Sequence, residues 1–207
     1  MAGFEQELCF YARIENFDGL SDAVSIENHV QAEYRVGDSK NKVRVRSTEK
    51  NGQVRYEETA KIYFEKDGML ACEEHSTDIT EEFFNAWMKL YQVTCVKKRR
   101  YVFLSKQVTL EYDGKSFTLP EVKYEVDVFL NKDGLRYKWC KIDIEIQGLL
   151  ETLKEQHVDV KDFEAKVALS KLPFDPKDAF SAVTDDQEKK DFAKQLWDAV
   201  AIQYTED

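Results

Sequence analysis

Proline and glycine are scarce, three and eight of 207 residues, which argues against a disordered or low-complexity chain. No run is long and apolar enough to cross a bilayer as a helix. The first residues lack the basic stretch and apolar run of a signal peptide. The four cysteines, Cys9, Cys72, Cys95 and Cys140, form no CxxC pair. Together these set the expectation of a cytoplasmic protein with reduced thiols, away from membranes. His29, His75 and His157 show no zinc-ligand spacing, and His75 beside Glu73 and Glu74 reads as a strand residue. Positive charge is also short: 30 Lys and Arg stand against 40 Asp and Glu, a net charge of −10. That disfavours general nucleic-acid binding, which draws on a basic surface, but leaves room for a small anion in a local basic pocket.

What is present is hydrophobic alternation. The segment FEQELCFYARI, residues 4–14, reads as a strand with Phe4, Gln6, Leu8 and Phe10 on one face. Glu5, Glu7, Cys9 and Tyr11 then fall on the other. Ser21 is placed to cap a short helix in SDAVSIENHVQ. Asn51-Gly52, Asp67-Gly68 and Asp113-Gly114 each separate two alternating runs, the signature of a tight hairpin. From Thr80, TEEFFNAWMKLY carries Phe83, Phe84, Trp87, Leu90 and Tyr91 at helical spacing, with Glu81 and Glu82 in the first turn. Eight or nine strands joined by hairpins predict an α+β protein built on an antiparallel eight-stranded β-barrel. From about Leu149 the pattern becomes helical, with three helices expected and Thr184 and Gln187 fitting a capping box. The expected organisation is therefore a barrel domain over 1–148 and a helical tail over 149–207 packed on its outside.

Several strands carry one apolar and one ionised face. Val43 and Val45 alternate with Lys42, Arg44 and Arg46. Tyr124, Val126 and Val128 alternate with Glu125 and Asp127. Ile142, Ile144 and Ile146 alternate with Lys141, Asp143 and Glu145. For a single strand, a solvated sheet face explains this. Across the set, however, whole strands present acid pairs (Glu5/Glu7, Glu125/Asp127, Asp143/Glu145) and others present base pairs (Arg44/Arg46, Lys98/Arg100). Acids two residues apart on a strand lie roughly 7 Å apart on one side. Desolvated, that repulsion calls for a cation between them. A barrel whose charged faces line a bore would hold divalent Mg²⁺ or Mn²⁺ on the acids and phosphate oxygens on the bases.

The ordered series Glu5-x-Glu7, KVRVR, ETAKI, KKRRYVF, EVDVF and KIDIEI over residues 1–147 resembles the CYTH family of triphosphate tunnel metalloenzymes. The resemblance implies an antiparallel eight-stranded tunnel and a Mg²⁺- or Mn²⁺-dependent triphosphatase. The substrate would be inorganic, nucleoside or thiamine triphosphate. By the same resemblance Glu5, Glu7, Asp143 and Glu145 hold the metal. Arg44, Arg46, Lys61, Lys98 and Arg100 hold phosphate, and Glu125 and Asp127 form the acidic strand that orients water. An acid at Glu73 or Glu74 belongs to the middle of the family pattern, its register open. The family's Glu-x-Glu-x-Lys signature ends here in Cys9, a neutral thiol where an ammonium is expected, with Lys141 as a replacement charge. That departure favours an alternative, a tunnel protein that binds or sequesters a nucleotide or cyclic nucleotide; the resemblance also leaves a class IV-like adenylyl cyclase as a further alternative. The partner in every case is a small phosphorylated ligand.

Overall fold

The computed structural model describes residues 7–66, 69–90, 94–146, 149–159, 162–163, 166–167 and 169–203. Ten strands form one sheet: β1 (Glu7–Ile14), β2 (Ser25–Arg35), β3 (Lys42–Lys50), β4 (Gln53–Lys66), β5 (Met69–Asp78), β6 (Thr94–Tyr112), β7 (Lys115–Leu130), β8 (Arg136–Ile146), β9 (Phe180–Val183) and β10 (Ile202–Gln203). Among the described residues these α-helices accompany them: α1 (Glu81–Leu90), α2 (Leu149–Glu155) and α3 (Asp186–Val200). The strand order is β5-β4-β3-β2-β6-β7-β8-β1-β9, with β10 added to β6. All these pairings are antiparallel.

The hairpins form where the turn residues place them. Asn51 and Gly52 take φ of 52° and 78°, and Asp113 and Gly114 take 46° and 73°. Two successive left-handed residues make the tight turn whose twist matches the flanking strands, and Gly supplies the second at no steric cost. Asp67-Gly68 lies outside the described residues, although β4 and β5 pair up to Lys66 opposite Met69. Ser21 caps no helix before a long strand. It lies in a 3₁₀ turn, Asp18–Asp22, and SIENHVQ belongs to β2. Val30 and Ala32 alternate there with Gln31 and Glu33, and this period of two prevails over the cap signal.

The barrel expected from the sequence is not closed. Among the described residues β5 pairs only with β4, and β1 is followed by β9. The tail itself provides the reason: β9 bonds the edge of β1 along Tyr11–Ile14, an edge that closure would use.

The sheet has two chemically distinct faces. On the outer face Leu8, Phe10, Tyr124, Val126, Val128, Ile142 and Ile144 are buried together with Leu153, Phe163, Leu172 and Phe174 from the tail. Tyr124 and Phe174 stack with ring centroids 4.3 Å apart. Nearby, Phe84, Trp87 and Met88 of α1 cover Ala32 and Val45, so this helix braces the sheet from outside. Leu153, Phe163, Leu172 and Phe174 of the tail thus pack on the outer face.

The last helix does not. In β9, Phe180 belongs to the outer core and Val183 to a separate cluster with Val96, Trp139, Phe192, Leu196 and Val200. Trp139 shares a strand face with Lys141 and Asp143, so α3 has been carried round the sheet edge to the charged side. Asp185 is its cap, accepting from the Glu188 amide at 2.8 Å, one residue beyond the expected Thr184–Gln187 pair.

Candidate functional site

The ionised faces of the strands converge on one cavity of about 510 Å³. β3 contributes Lys42, Arg44 and Arg46, while Val45 between them is fully buried on the opposite face. β4 and β5 add Lys61, Tyr63 and Glu74, and β2 adds Gln31 and Glu33. From β6, β7 and β8 come Lys98, Arg100, Lys123, Glu125, Asp127, Lys141, Asp143 and Glu145. Among the described residues eight cationic side chains and six carboxylates line the cavity, a cluster of cations within a chain of net charge −10. Such a surface attracts a polyanion at short range although the whole molecule does not.

The charges are arranged as ion pairs. Arg100 bonds Asp127 in bidentate fashion, Nε to Oδ1 at 2.7 Å and Nη2 to Oδ2 at 2.9 Å. Lys98 donates to the same Oδ2 at 2.5 Å. Glu125 pairs with Arg100 and, at 2.5 Å, with Lys123, which also reaches Glu145 at 3.0 Å. Arg46 bonds Glu57, and Arg44 donates to Thr59 Oγ1 at 3.2 Å and more weakly to Glu57. Lys61 pairs with Glu74, and Lys42 with Glu33 at 2.8 Å.

These contacts and burial shift the ionisations. Burial disfavours the charged form of Asp127, but Lys98 and Arg100 outweigh it and hold its carboxyl well below the usual range. Burial also acts on Lys98 and pulls its ammonium down to about 8, against the pull of Asp127. Arg46 is lowered by burial and by neighbouring Arg44.

Several buried polar atoms in this region have no hydrogen-bond partner: Asp143 Oδ1, Arg44 Nε, Arg46 Nε and Gln31 Oε1. Asp143 is 3 % exposed, with only Oδ2 engaged, by Lys141 at 2.7 Å. A buried carboxylate oxygen left without a donor suits a hard cation.

The sequence-predicted residues fare as follows. Arg44, Arg46, Lys61, Lys98, Arg100, Glu125, Asp127, Lys141, Asp143 and Glu145 all line the cavity. Glu5 lies outside the described residues. Glu7 stands opposite Glu145 and Cys9 opposite Asp143 in the β1–β8 register. Among the described residues no three His, Cys, Asp or Glu side chains are grouped to hold a metal. Glu73 is a correction: Glu74 faces Lys61 in the cavity, and Glu73 pairs with His75 at 2.8 Å on the other side of β5. A one-residue shift on a strand reverses the face, which is why the sequence left this register open. Lys123 and Glu33 also line the cavity, and Lys42 joins them from the ionised face it shares with Arg44 and Arg46. Lys123 shares parity with Glu125 and Asp127 and was within reach of the same argument. The residues of α3 that line the cavity, Ala193, Leu196, Trp197 and Val200, carried no such signal.

No family model matches the chain, and no curated protein matches it. Solved structures resemble it weakly. The PH1819 protein from Pyrococcus horikoshii OT3 aligns at TM-score 0.42 and 16% identity, covering 73% of this chain and 86% of its own. The PH1012 protein of the same organism gives 0.42 and 16%, covering 76% and 93%. A conserved hypothetical protein from Pyrococcus furiosus gives 0.41 and 16%, covering 76% and 94%. No helix of the described residues is long and apolar enough to cross a membrane.

Proposed function

We propose that the chain is a CYTH-like, Mg²⁺- or Mn²⁺-dependent phosphohydrolase acting on a triphosphate held on the ionised face of the sheet. The observation that carries this reading is the convergence, among the described residues, of eight cations and six carboxylates on one cavity, with a buried carboxylate oxygen of Asp143 left without a partner. Arg44, Arg46, Lys61, Lys98 and Arg100 bind the phosphate oxygens, the arginines through two parallel N–H groups. Glu7, Asp143 and Glu145, with Glu5, are the oxygen donors for the divalent ion. When bound, that ion supplies neutralisation of charge on the phosphate oxygens.

In the ligand-free protein the cations are held by carboxylates. A triphosphate entering the cavity takes Arg100 and Lys98 from Glu125 and Asp127. A carboxylate so released accepts a hydrogen bond from water and orients it towards the terminal phosphorus. Water oxygen bonds to that phosphorus while a proton of the water passes to the carboxylate, the bridging P–O bond breaks, and the electron pair of that bond leaves with the diphosphate. Developing charge on the leaving group is met by fixed arginine and lysine donors, the main source of acceleration in phosphoryl transfer.

The experiment is phosphate release from tripolyphosphate, nucleoside triphosphates and thiamine triphosphate, with and without Mn²⁺. Metal-dependent release is expected. Folded protein that releases phosphate from none of them removes the hydrolase reading.

A second reading, binding without turnover, is favoured by Cys9, which sits directly across from Asp143 where the signature lysine is expected. Under the hydrolase reading, Cys9→Lys raises kcat by at most the roughly 10²–10³ that a single donor to developing charge is worth. Tight binding with unchanged ligand recovered from wild type, and hydrolysis only in Cys9→Lys, would assign a sequestering protein.

A further inference from the structure

One buried titratable group on the ionised face has no part in the site described above. His29 of β2 is 2% exposed. It has the strand parity of Glu27, Gln31 and Glu33, with Lys98 directly across on β6 and Thr48 directly across on β3. Its charged diagonal neighbours are Arg100 from β6 and Arg46 and Lys50 from β3. The acid facing it is Glu27 of its own strand, whose Oε2 lies 3.1 Å from His29 Nε2. The bond from His29, with that from Lys50 at 3.0 Å, pulls the Glu27 carboxyl down to about 2 against burial. An ionised carboxylate only accepts, so Nε2 carries the imidazole hydrogen and Nδ1 is a bare lone pair. Among the described residues that buried Nδ1 has no hydrogen-bond partner, and neither has the buried Gln31 Oε1 two residues along the same face. Burial holds the imidazole below its usual pKa, with Lys98, Arg46 and Arg100 acting in the same direction and Glu27 against them. These three cations are the ones that the triphosphate reading gives to phosphate. A polyanion lying on them reverses the field at Nδ1.

We propose that His29 takes up one proton from solvent on Nδ1 when a polyphosphate occupies the cavity, adding behind Lys98, Arg46 and Arg100 a positive charge that the empty site does not carry. The proposal rests on the triphosphate reading of this face and goes beyond it by assigning a further cation that forms only on binding. His29 is not among the residues that line the cavity, so it is a positioning residue that acts through the cations in front of it. The new Nδ1–H also gives the face a donor, where Gln31 Oε1 is an acceptor that lacks one. The sign of the linkage follows. The pKa of His29 is higher in the complex than in the free protein, so its contribution to affinity is absent well above the bound value. It grows as pH falls through that value and is complete below the free one.

The test is an NMR titration of the histidine rings of metal-free wild type from about pH 5 to 8, alone and with saturating tripolyphosphate, ATP or thiamine triphosphate. The other histidines, His75 and His157, are exposed and serve as references. Free His29 is expected as the Nε2–H tautomer, titrating below the ordinary histidine value of about 6.5. A bound triphosphate is expected to raise its midpoint by about one pH unit, with smaller effects on the two references. That shift corresponds to roughly tenfold tighter binding by the protonated form. His29→Gln, which cannot charge, gives a second readout. By calorimetry it should match wild type within about twofold at pH 8, and wild type should gain up to about tenfold over it towards pH 5. Protonation of the ligand itself cancels in that ratio. A purely structural role would weaken binding alike at every pH. An unmoved His29 midpoint, an Nδ1–H tautomer in the free protein, or a ratio independent of pH overturns the inference and leaves the triphosphate reading standing. Should His29→Gln not fold, the wild-type titration decides alone. Folded wild type that binds none of the three ligands removes the triphosphate reading and this inference with it.

Discussion

Asp143 joins a buried carboxylate to the only oxygen among the described cavity-lining acids recorded as buried without a hydrogen bond, Oδ1. As a metal donor it is expected to be hard to replace. Asp143→Asn keeps the shape and removes the charge, and it should lower Mn²⁺ affinity by on the order of tenfold or more while leaving the circular dichroism spectrum unchanged. Unaltered affinity by calorimetry would remove Asp143 from the metal set. Lys98 makes a different claim. Its ammonium is drawn down to about 8 by burial, so in the free protein it loses its proton as pH rises through that value. A bound polyanion holds the proton on. Metal-free affinity for tripolyphosphate should therefore be greatest below pH 8 and fall above it, by at most about tenfold per pH unit for one linked proton. Lys98→Arg, charged throughout, should flatten the profile. A wild-type profile already flat from pH 7 to 9.5 would contradict the assignment.

At the scale of elements, the account separates the two faces of each strand. Ile142 is fully buried on the outer face, and Ile142→Ala should cost about 2–5 kcal/mol of stability while leaving triphosphate affinity intact. Arg44→Ala, on the cavity face, should do the reverse: a small change in melting temperature and a large loss of affinity. Thermal unfolding and calorimetry on both variants test the division. This division was legible in the sequence because a strand's period of two writes both faces into alternate letters, as in KVRVRS and KIDIEIQ. Glu73 and Glu74 show the limit of that reading: adjacent acids occupy both faces, and only the pairing of Lys61 with Glu74 decides which enters the cavity. The tail shows another limit. Four residues, Phe180–Val183, add to β1 and redirect everything after them, and a strand that short carries no periodicity to read. The closed barrel failed on the same segment, since β9 fills an edge that strand counting leaves free. The cap fell one residue from its expected place because Thr184 and Asp185 are both good caps and only backbone geometry distinguishes them.

For the whole molecule, the decisive property is a cavity on which cations and carboxylates converge inside an acidic chain. Its cations and acids are held in ion pairs, and on the proposed function a ligand separates them. Phosphate that takes the cations frees the carboxylates for metal, and metal that takes the carboxylates frees the cations for phosphate. The two ligands should therefore tighten each other's binding, and by thermodynamic necessity by the same factor. Calorimetry of Mn²⁺ with and without tripolyphosphate, and of tripolyphosphate with and without Mn²⁺, should give equal enhancements after correction for their complex in solution. Independent binding would dissolve the idea of partner exchange.

The central claim is that this cavity is where a triphosphate is bound and cleaved. The most direct measurement is the rate of phosphate release from the triphosphate panel under Mn²⁺ by wild type and by Arg46→Ala, both verified as folded by circular dichroism. The account predicts metal-dependent release by wild type and a fall of roughly 10²–10³ in kcat/KM for Arg46→Ala, the usual effect of removing one donor to developing charge. Folded wild type that releases no phosphate, or an Arg46→Ala variant that releases it as fast as wild type, would contradict it.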